Sequence, residues 1–238
     1  MAIPRHFRTK KIERFMPKFF SFPKIVQAVT VVALAFFGTA APLHAQPSAQ
    51  TAPDELIRQV SQGVLNEIKA DRSLQSGDIE RLNRLVDQRV MPYVNFQRMT
   101  ALSVGRNWRQ ATPEQQQQLM TEFRRLLLLT YADAVRQVTD TTIEIRPMRS
   151  KPTDDDVVVR TQVVRPGKEA IQLDYRLEKT PAGWRIYDFN VLGLWLIESY
   201  RNQFTQVVSA SGIDGLIRDL QTKNKSLSSS VARKRADN

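Results

Sequence analysis

Few side chains in this 238-residue chain could carry out chemistry at neutral pH. The chain has no cysteine, and its two histidines, His6 and His44, both lie within the first 45 residues. If that segment is removed, the remainder has no imidazole general base, no thiolate nucleophile and no nitrogen or sulfur ligand for zinc. Carboxylate chemistry, lysine chemistry and binding without catalysis are the classes of activity that remain.

Carboxylates provide the candidates for an enzyme. Asp174, Glu178 and Asp188 are the first suspects for a pair of the kind that glycosidases use. Asp174 and Glu178 fall on the polar face of a predicted strand, where burial would not raise their pKa, so we expect neither an enzyme nor a cofactor. The acidic run 154–156 has two interpretations, a calcium site or a solvated turn. We expect the turn, and no metal site.

The first 45 residues have the pattern of a cleavable signal peptide. Seven Lys and Arg residues against Glu13 precede the uncharged apolar run 25–38, and Ala45 supplies the small residue at which signal peptidase cuts. The run has 14 residues, whereas a transmembrane helix needs about 20. We expect cleavage after Ala45 and export; an uncleaved anchor is the alternative.

The basic character of the chain is concentrated at its two ends. Seven of the 35 basic residues and one of the 24 acidic residues lie in the first 45, which leaves a net charge of +5 for the rest. Residues 46–222 carry 23 basic and 22 acidic side chains. Because nucleic-acid-binding domains concentrate basic residues on the domain itself, this balance argues against nucleic acid as a partner.

Composition also predicts the domain boundaries. Residues 46–225 suit one domain with a sizeable core. Residues 226–238 are rich in serine and then in basic residues, which predicts a disordered tail. Two interpretations of this tail stay open, a solubilising end or a weak contact with anionic lipid headgroups.

Helical periodicity runs through the first half of the domain. Apolar spacing predicts one helix from Pro53 to about Asp71 and a second, capped by Ser76, which Pro92 must end. A short third helix is predicted between the cap Asn95 and the terminator Gly105. The segment 112–115 has the pattern of a capping box with proline at the first helical position, and it opens the longest helix, to about residue 138.

The period changes from 3.6 to 2 in the second half. Strands are predicted over 142–149, 157–164, 171–178 and 184–192. Their short, turn-like connections favour antiparallel pairing, since a parallel crossover needs a dozen residues or more. A helix then runs from Leu194 to Ala210, breaks at Gly212 and closes with Ile213 to Leu220. The predicted fold is α+β, with an antiparallel sheet of about four strands packed against N-terminal and C-terminal helices.

Two segments carry more apolar surface than a core-facing helix needs. In the longest helix, Leu126, Leu128 and Leu129 extend an apolar stripe around the whole circumference, and the C-terminal helix opens with the apolar run 192–197. A helix that is apolar all round is buried on every side or borders an apolar space. A plain core and a cavity for an apolar ligand are both consistent with this pattern.

One ordered set of residues from Leu56 to Leu220 is characteristic of a known family. The set comprises Asn95-Phe96 with Met99, Gly105 to Gln115, Phe123, Tyr131, Trp184, Tyr187-Asp188, Gly193 and Tyr200 to Phe204. It resembles the MlaC family, the periplasmic phospholipid-binding proteins of the Mla pathway, also called toluene-tolerance proteins. Two departures are visible. Asn95 replaces a usual aspartate but keeps a capping oxygen, and Trp195 stands where a small polar residue is common.

The resemblance implies a periplasmic carrier without a cofactor. Its acyl-chain cavity would lie between sheet and helices, with the lipid headgroup exposed. The implied partners are phospholipid, an outer-membrane Mla lipoprotein complex and the inner-membrane Mla ABC transporter with its substrate-capture subunit, and the implied role is to maintain outer-membrane lipid asymmetry. The alternative is a periplasmic chaperone or scaffold that binds apolar polypeptide.

Under this resemblance, the candidate lipid contacts are apolar and aromatic. They are Leu126, Leu127, Leu128, Leu129, Tyr131, Tyr175, Trp184, Tyr187, Val191, Leu194, Ile197, Tyr200 and Phe204. Arg201 is the candidate contact for the lipid phosphate, with an ion pair to Glu198 or Asp188 as the alternative. For Arg106 and Arg109, contact with a partner and stabilisation of the loop before the longest helix both stay open.

Overall fold

A computed structural model of the chain describes residues 50–236, apart from residues 136, 137, 139, 149, 150 and 152. The predicted signal peptide lies outside the described residues. Helices come first, an antiparallel sheet follows, and a helix closes the chain, so the predicted α+β class is confirmed. None of the helices within the described part is long and apolar enough to cross a membrane.

The helices of the described residues pack on the sheet and on one another. They are α1 (Pro53–Ala70), α2 (Arg72–Gln75), α3 (Ile79–Arg89), α4 (Phe96–Val104), α5 (Pro113–Val135) and α6 (Leu196–Ala236). Short 3₁₀ turns at Met91–Tyr93 and Gly105–Gln110 lead into α4 and out of it.

The start of α3 differs from the prediction. Its cap is Asp78, whose carboxylate accepts a hydrogen bond from the Arg81 amide at 2.9 Å, and not Ser76. Ser76 instead ends the short helix α2, which the periodicity did not predict. Asp71 caps α2 by accepting from the Ser73 amide at 2.8 Å. Sequence spacing could not distinguish Ser76 from Asp78, since the two lie only two positions apart and both are good caps.

The predicted starts of α4 and α5 are confirmed. The Asn95 side-chain oxygen accepts from the Arg98 amide at 3.0 Å, and its nitrogen donates to Glu178 at 2.7 Å. An aspartate at this position could accept the first bond but could not donate the second. At the start of α5, Thr112 and Gln115 exchange side-chain-to-backbone bonds of 3.0 and 3.2 Å, which is the geometry of a capping box.

The described strands form one sheet with more strands than predicted. They are β1 (Thr142–Ile145), β2 (Asp156–Val159), β3 (Thr161–Val164), β4 (Ile171–Thr180), β5 (Gly183–Val191) and β6 (Leu194–Trp195). The sheet order is β1-β3-β4-β5-β6, and β2 also pairs with β4. The run 157–164 was predicted as one strand. It divides at Arg160 because β2 pairs with the second half of β4 and β3 with the first.

The β4–β5 hairpin is the longest pairing and changes which side chains are buried. A bulge lies between Arg176 and Leu177. Tyr175 and Leu177 face the core as predicted, but Asp174 is also buried, although the alternation places it on the wet face. A short strand, β6, pairs with the end of β5 where a helix was predicted to begin.

The final helix begins two residues after the predicted start at Leu194 and ends well beyond the predicted end at Leu220. It breaks at Gly212, where φ is 69°, as predicted, but then continues to Ala236. Residues 226–236 are therefore helical where the composition predicts disorder. Asn224 explains part of the difference: it is buried, and its side-chain nitrogen donates to the Glu122 carbonyl at 3.0 Å and to the Glu122 carboxylate at 2.7 Å. Leu227 also packs on the core.

Candidate functional site

An apolar cavity of about 210 Å³ lies between α3, α4, α5 and β5. Nearly all of its surface is hydrocarbon, and none of the described residues that line it is acidic. They are Leu82, Val86, Val90, Met91, Val94, Phe96, Met99, Arg124, Leu127, Leu128, Tyr131, Val135 and Phe189. This arrangement can bind an apolar group, and its lining supplies neither a nucleophile paired with a base nor a set of metal ligands.

Helix α5 supplies one long wall of the cavity. Arg124, Leu127, Leu128, Tyr131 and Val135 follow one another at spacings of one, three or four residues, which places them along one side of the helix. The distance from the first to the last is about 16 Å at a rise of 1.5 Å per residue. The wall is therefore elongated, as an unbranched hydrocarbon chain requires.

This wall has two polar side chains, Arg124 and Tyr131. The Arg124 guanidinium donates to Asp87 at 2.7 Å and to Asn83 at 3.0 Å, and both acceptors lie on α3. This charge therefore links α3 to α5 beside the cavity. Tyr131 is 37% exposed, and burial of the remainder raises the pKa of its hydroxyl, so it is neutral at physiological pH.

Aromatic rings fill the adjoining face of α5, where it packs against α6. Phe123 is fully buried, and its ring centre lies 4.8 Å from that of Tyr200 and 5.2 Å from that of Phe204, both in edge-to-face geometry. Phe96, which also borders the cavity, lies 5.8 Å from Phe123. We call Phe96, Phe123, Tyr200 and Phe204 the aromatic cluster. Because Phe96 also lines the cavity, and Leu127 packs against the core cluster that contains Phe123, the packed aromatic rings and the cavity adjoin each other along α5.

The structure brings three of the thirteen predicted contacts to the cavity. Leu127, Leu128 and Tyr131 line it. Six others are buried in the core without lining it: Leu126, Leu129, Tyr175, Tyr187, Ile197 and Phe204.

The remaining four predicted contacts also lie outside the cavity lining. Tyr200 belongs to the aromatic cluster, and Trp184 packs on the core between the sheet and α1. Val191 is half-buried, and Leu194, in the short strand β6 before α6, is 67% exposed.

The sequence did not predict the lining residues on α3, α4 and β5, which lie across the cavity from α5. Leu82 and Val86 of α3 carried a signal, since both belong to the apolar stripe of that helix, but a stripe does not distinguish packing from lining. Val94 and Phe189 lie on segments whose pairing brings them to the site, through the bridge between Val94 and Ile186. No local pattern could assign that contact.

Arg201 and Trp195 do not line the cavity. The Arg201 Nε donates to the Leu102 carbonyl at 2.8 Å, and the structure gives it no ion pair with Glu198 or Asp188. Trp195, the departure from the family pattern, lies with its ring 3.9 Å from the Arg176 guanidinium. The larger side chain therefore covers a cation on the sheet and does not narrow the described cavity.

Each candidate catalytic carboxylate is engaged in a structural contact. Buried Asp188 accepts from the amides of Phe189 at 2.9 Å and Ile197 at 3.1 Å, and it pairs with Arg176 at 3.0 Å. Burial raises the pKa of Asp188, while these donors oppose the rise. The Ile197 amide lies in the first turn of α6, so Asp188 acts as a cap of this helix. This structural role accounts for the buried position that raises its pKa.

The other two candidate carboxylates are separated along β4. Asp174 accepts from the Thr161 amide at 3.1 Å and from Gln172 at 2.6 Å, whereas Glu178 binds Arg98 and Asn95. Four residues along a strand span about 13 Å, which exceeds the spacing of about 5–9.5 Å at which glycosidase carboxylates cooperate.

The acidic run 154–156 does not converge on one point. Asp154 accepts from the Lys151 amide at 2.8 Å, Asp155 lies 3.9 Å from Lys179, and Asp156 accepts from the Tyr187 hydroxyl at 2.8 Å. Among the residues that the structure describes, no group of three or more His, Cys, Asp or Glu side chains could hold a metal ion.

Comparisons with known proteins find relatives of this chain by sequence and by fold. The intermembrane phospholipid transport system binding protein MlaC of Haemophilus influenzae is 22% identical over 176 residues, which cover 73% of this chain and 82% of that relative. The toluene tolerance protein ttg2D of Pseudomonas putida is 22% identical over 170 residues, which cover 70% of this chain and 77% of that relative.

A solved structure and a family model agree with these relatives. A phospholipid-binding protein from Ralstonia solanacearum, whose structure was solved in complex with a phospholipid, is 44% identical. It superposes with a TM-score of 0.71, and the match covers 72% of this chain and 96% of that chain. The model of the MlaC protein family matches residues 58–222, which is most of the described domain, and the chain therefore belongs to the MlaC family.

Proposed function

We propose that this protein is a phospholipid carrier that holds acyl chain in the cavity beside α5 and leaves the headgroup in water. The observation that carries the proposal is the cavity itself, because its elongated wall of hydrocarbon has no acidic member among the described lining residues. The phospholipid complex of the 44% identical relative supports the same ligand class.

Burial of hydrocarbon supplies the binding free energy. Each methylene group removed from water contributes about 0.8 kcal/mol, so six buried methylenes contribute about 5 kcal/mol. Leu127, Leu128 and Val86 offer contacts that cost no desolvation of polar groups. A ligand held in this way leaves without the breaking of a covalent bond, which suits a carrier that must load and unload.

The volume of the cavity limits how much of a lipid molecule fits inside it in this structure. Its volume of about 210 Å³ is below the range of about 300–1,000 Å³ that is usual for drug-sized ligands. We infer that the described cavity accepts a segment of one acyl chain. A whole phospholipid requires α3 to move away from α5, a movement that the bonds from Arg124 to Asp87 and Asn83 oppose.

The route of the carrier is part of the same proposal, and family membership supports it. We propose that a signal peptide cleaved after Ala45 directs residues 46–238 to the periplasm. There the protein would carry phospholipid between an outer-membrane Mla lipoprotein complex and the inner-membrane Mla ABC transporter with its substrate-capture subunit, and so maintain outer-membrane lipid asymmetry. N-terminal sequencing of the exported protein checks the cleavage site, with Gln46 expected as the first residue.

Native mass spectrometry tests the proposed ligand. The exported protein is purified without detergent, its mass is measured under native conditions, and the bound material is extracted with solvent and identified. We expect phospholipid at a fixed ratio to protein. A preparation that holds no lipid and takes none from liposomes would contradict the carrier, and a stably bound apolar polypeptide would favour a chaperone.

A further inference from the structure

A second concave surface lies where α4, the 3₁₀ turn Gly105–Gln110 and α6 meet. This groove has a volume of about 550 Å³ and shares none of its lining residues with the apolar cavity. Half-buried Leu102 and Trp108 form its apolar part, and exposed Arg106, Arg109 and Arg201 surround them. We call this surface the arginine groove.

The three arginines of the groove have no acidic partner within the described part of the chain. No ion pair involves Arg106, Arg109 or Arg201, and no acidic residue is among those that line the groove. Arg201 is oriented by the bond from its Nε to the Leu102 carbonyl at 2.8 Å, which leaves its two terminal nitrogens available. Three positive charges therefore converge on a domain whose residues 46–222 are almost neutral.

Hydrogen bonds hold the 3₁₀ turn that lines the groove. The Trp108 carbonyl accepts from the Gln116 side chain at 3.0 Å and from the Ala111 amide at 3.3 Å, so α5 fixes the turn. Gly105 ends α4 with φ of 68°, a conformation that other residues rarely adopt. A surface that is ordered before binding loses less conformational entropy when a partner arrives.

We propose that the arginine groove docks a partner protein through an acidic segment that carries apolar side chains. Arginine pairs with carboxylates through two parallel hydrogen bonds, and Trp108 with Leu102 offers apolar contact between the charges. Arginine and tryptophan are also the residues most enriched where protein interfaces hold their binding energy. The groove differs in charge from the lipid cavity, so docking and lipid binding use separate surfaces.

The shape of the groove favours a polypeptide over a membrane surface. A protein that binds a bilayer presents aromatic side chains outward, so that they enter the headgroup region. Trp108 is half-buried and packs against the core cluster that contains Phe123, so its ring cannot enter a bilayer. A peptide segment, by contrast, can follow a concave surface and place carboxylates against each arginine.

Fluorescence anisotropy with the exported, lipid-loaded protein tests this proposal. The probe is a fluorescein-labelled peptide of 12 residues in which aspartates and glutamates flank a central Leu-Leu pair; a peptide with lysine at every acidic position is its control. We expect the acidic peptide to bind and the lysine peptide not to bind. The double variant R106E/R109E should lower the affinity for the acidic peptide by at least about tenfold, and R106Q/R109Q should lower it by less.

A matched variant separates the groove from general electrostatic attraction. R72E/R84E makes the same change of charge at exposed arginines of α2 and α3 that do not line the groove, and it should leave peptide affinity within about twofold. Both double variants should keep the phospholipid load of the parent in native mass spectrometry, so this outcome is distinguishable from failure of the carrier proposal. Equal weakening by both, or no binding of the acidic peptide, overturns the proposal. Binding to phosphatidylglycerol vesicles that depends on Arg106 and Arg109, without peptide binding, overturns it in favour of a membrane contact.

Discussion

Helix α5 has two adjoining apolar faces that differ in packing. On one side, the ring of Phe123 is enclosed by Tyr200 and Phe204 and has no exposed surface. On the other side, Leu127 and Leu128 face a cavity of about 210 Å³. The residues on both faces are apolar, so the difference in packing arises from the neighbouring helices. Helix α6 places aromatic rings against Phe123, whereas a cavity separates Leu127 and Leu128 from α3. Hydrophobicity alone therefore does not distinguish stabilising core from ligand site.

The largest effect that separates the two sides is expected from Phe123→Ala. This change removes a fully buried ring and its contacts with the aromatic cluster. The free energy of unfolding should fall by about 3–5 kcal/mol, measured by urea denaturation of lipid-free protein. Leu127→Ala is the matched control on the cavity side and should cost clearly less, because it enlarges an existing cavity. Equal losses would contradict the distinction.

The next effect concerns ligand binding on the cavity side. Leu127→Asp places a carboxylate against the hydrocarbon of a bound chain, where its desolvation costs several kcal/mol. Phospholipid retention in native mass spectrometry should fall by at least about tenfold, while circular dichroism shows a folded protein. Leu127→Met should retain the parent load. A folded Leu127→Asp protein with a normal lipid load would remove Leu127 from the binding site.

A smaller effect is expected when the cavity is filled. Val86→Phe on α3 adds a ring to the space that the acyl chain would occupy, so the protein should hold less lipid. The lipid-free protein should become more stable by about 0.5–2 kcal/mol, as cavity-filling changes commonly do. Native mass spectrometry and urea denaturation of the same preparation check both parts. Val86→Ala should leave the lipid load unchanged; lower stability together with full lipid load in Val86→Phe would contradict the assignment.

The smallest effect is a difference in alkaline stability. Burial raises the pKa of Tyr200 to about 12 from a usual value of about 10. The neutral hydroxyl therefore favours the folded state below pH 10, and that contribution is lost as the pH rises from 10 toward 12. Tyr200→Phe should make the decline of unfolding free energy over this range shallower. Tyr131→Phe at the cavity should change it less, since Tyr131 is more accessible to water. If the unfolding free energy of the parent and of Tyr200→Phe declined in parallel between pH 10 and pH 12, the proposed contribution of Tyr200 would be refuted.

Local signals were enough for most helix and strand boundaries. The capping pair Thr112 and Gln115 defines the start of α5 by bonds within four residues, and Gly212 breaks α6 because its backbone adopts a positive φ. The antiparallel order of the strands followed from connections too short for a crossover. Predictions based on composition or alternation were weaker. Residues 226–236 are helical and Leu227 packs on the core, while buried Asp174 accepts from the Thr161 amide, and both contacts are distant in sequence.

The sequence by itself determined the α+β class, the main helix starts and the chemistry that is absent from residues 46–238, since these depend on periodicity, short-range hydrogen bonds and composition. Only the tertiary structure decided which apolar residues line the cavity. Ten of its thirteen lining residues were not predicted, and Tyr200 and Phe204, which were predicted, pack against Phe123 instead. The physical reason is that a cavity is a gap between elements, and its location depends on how α3, α5 and the sheet pack together, which no single helix or strand encodes.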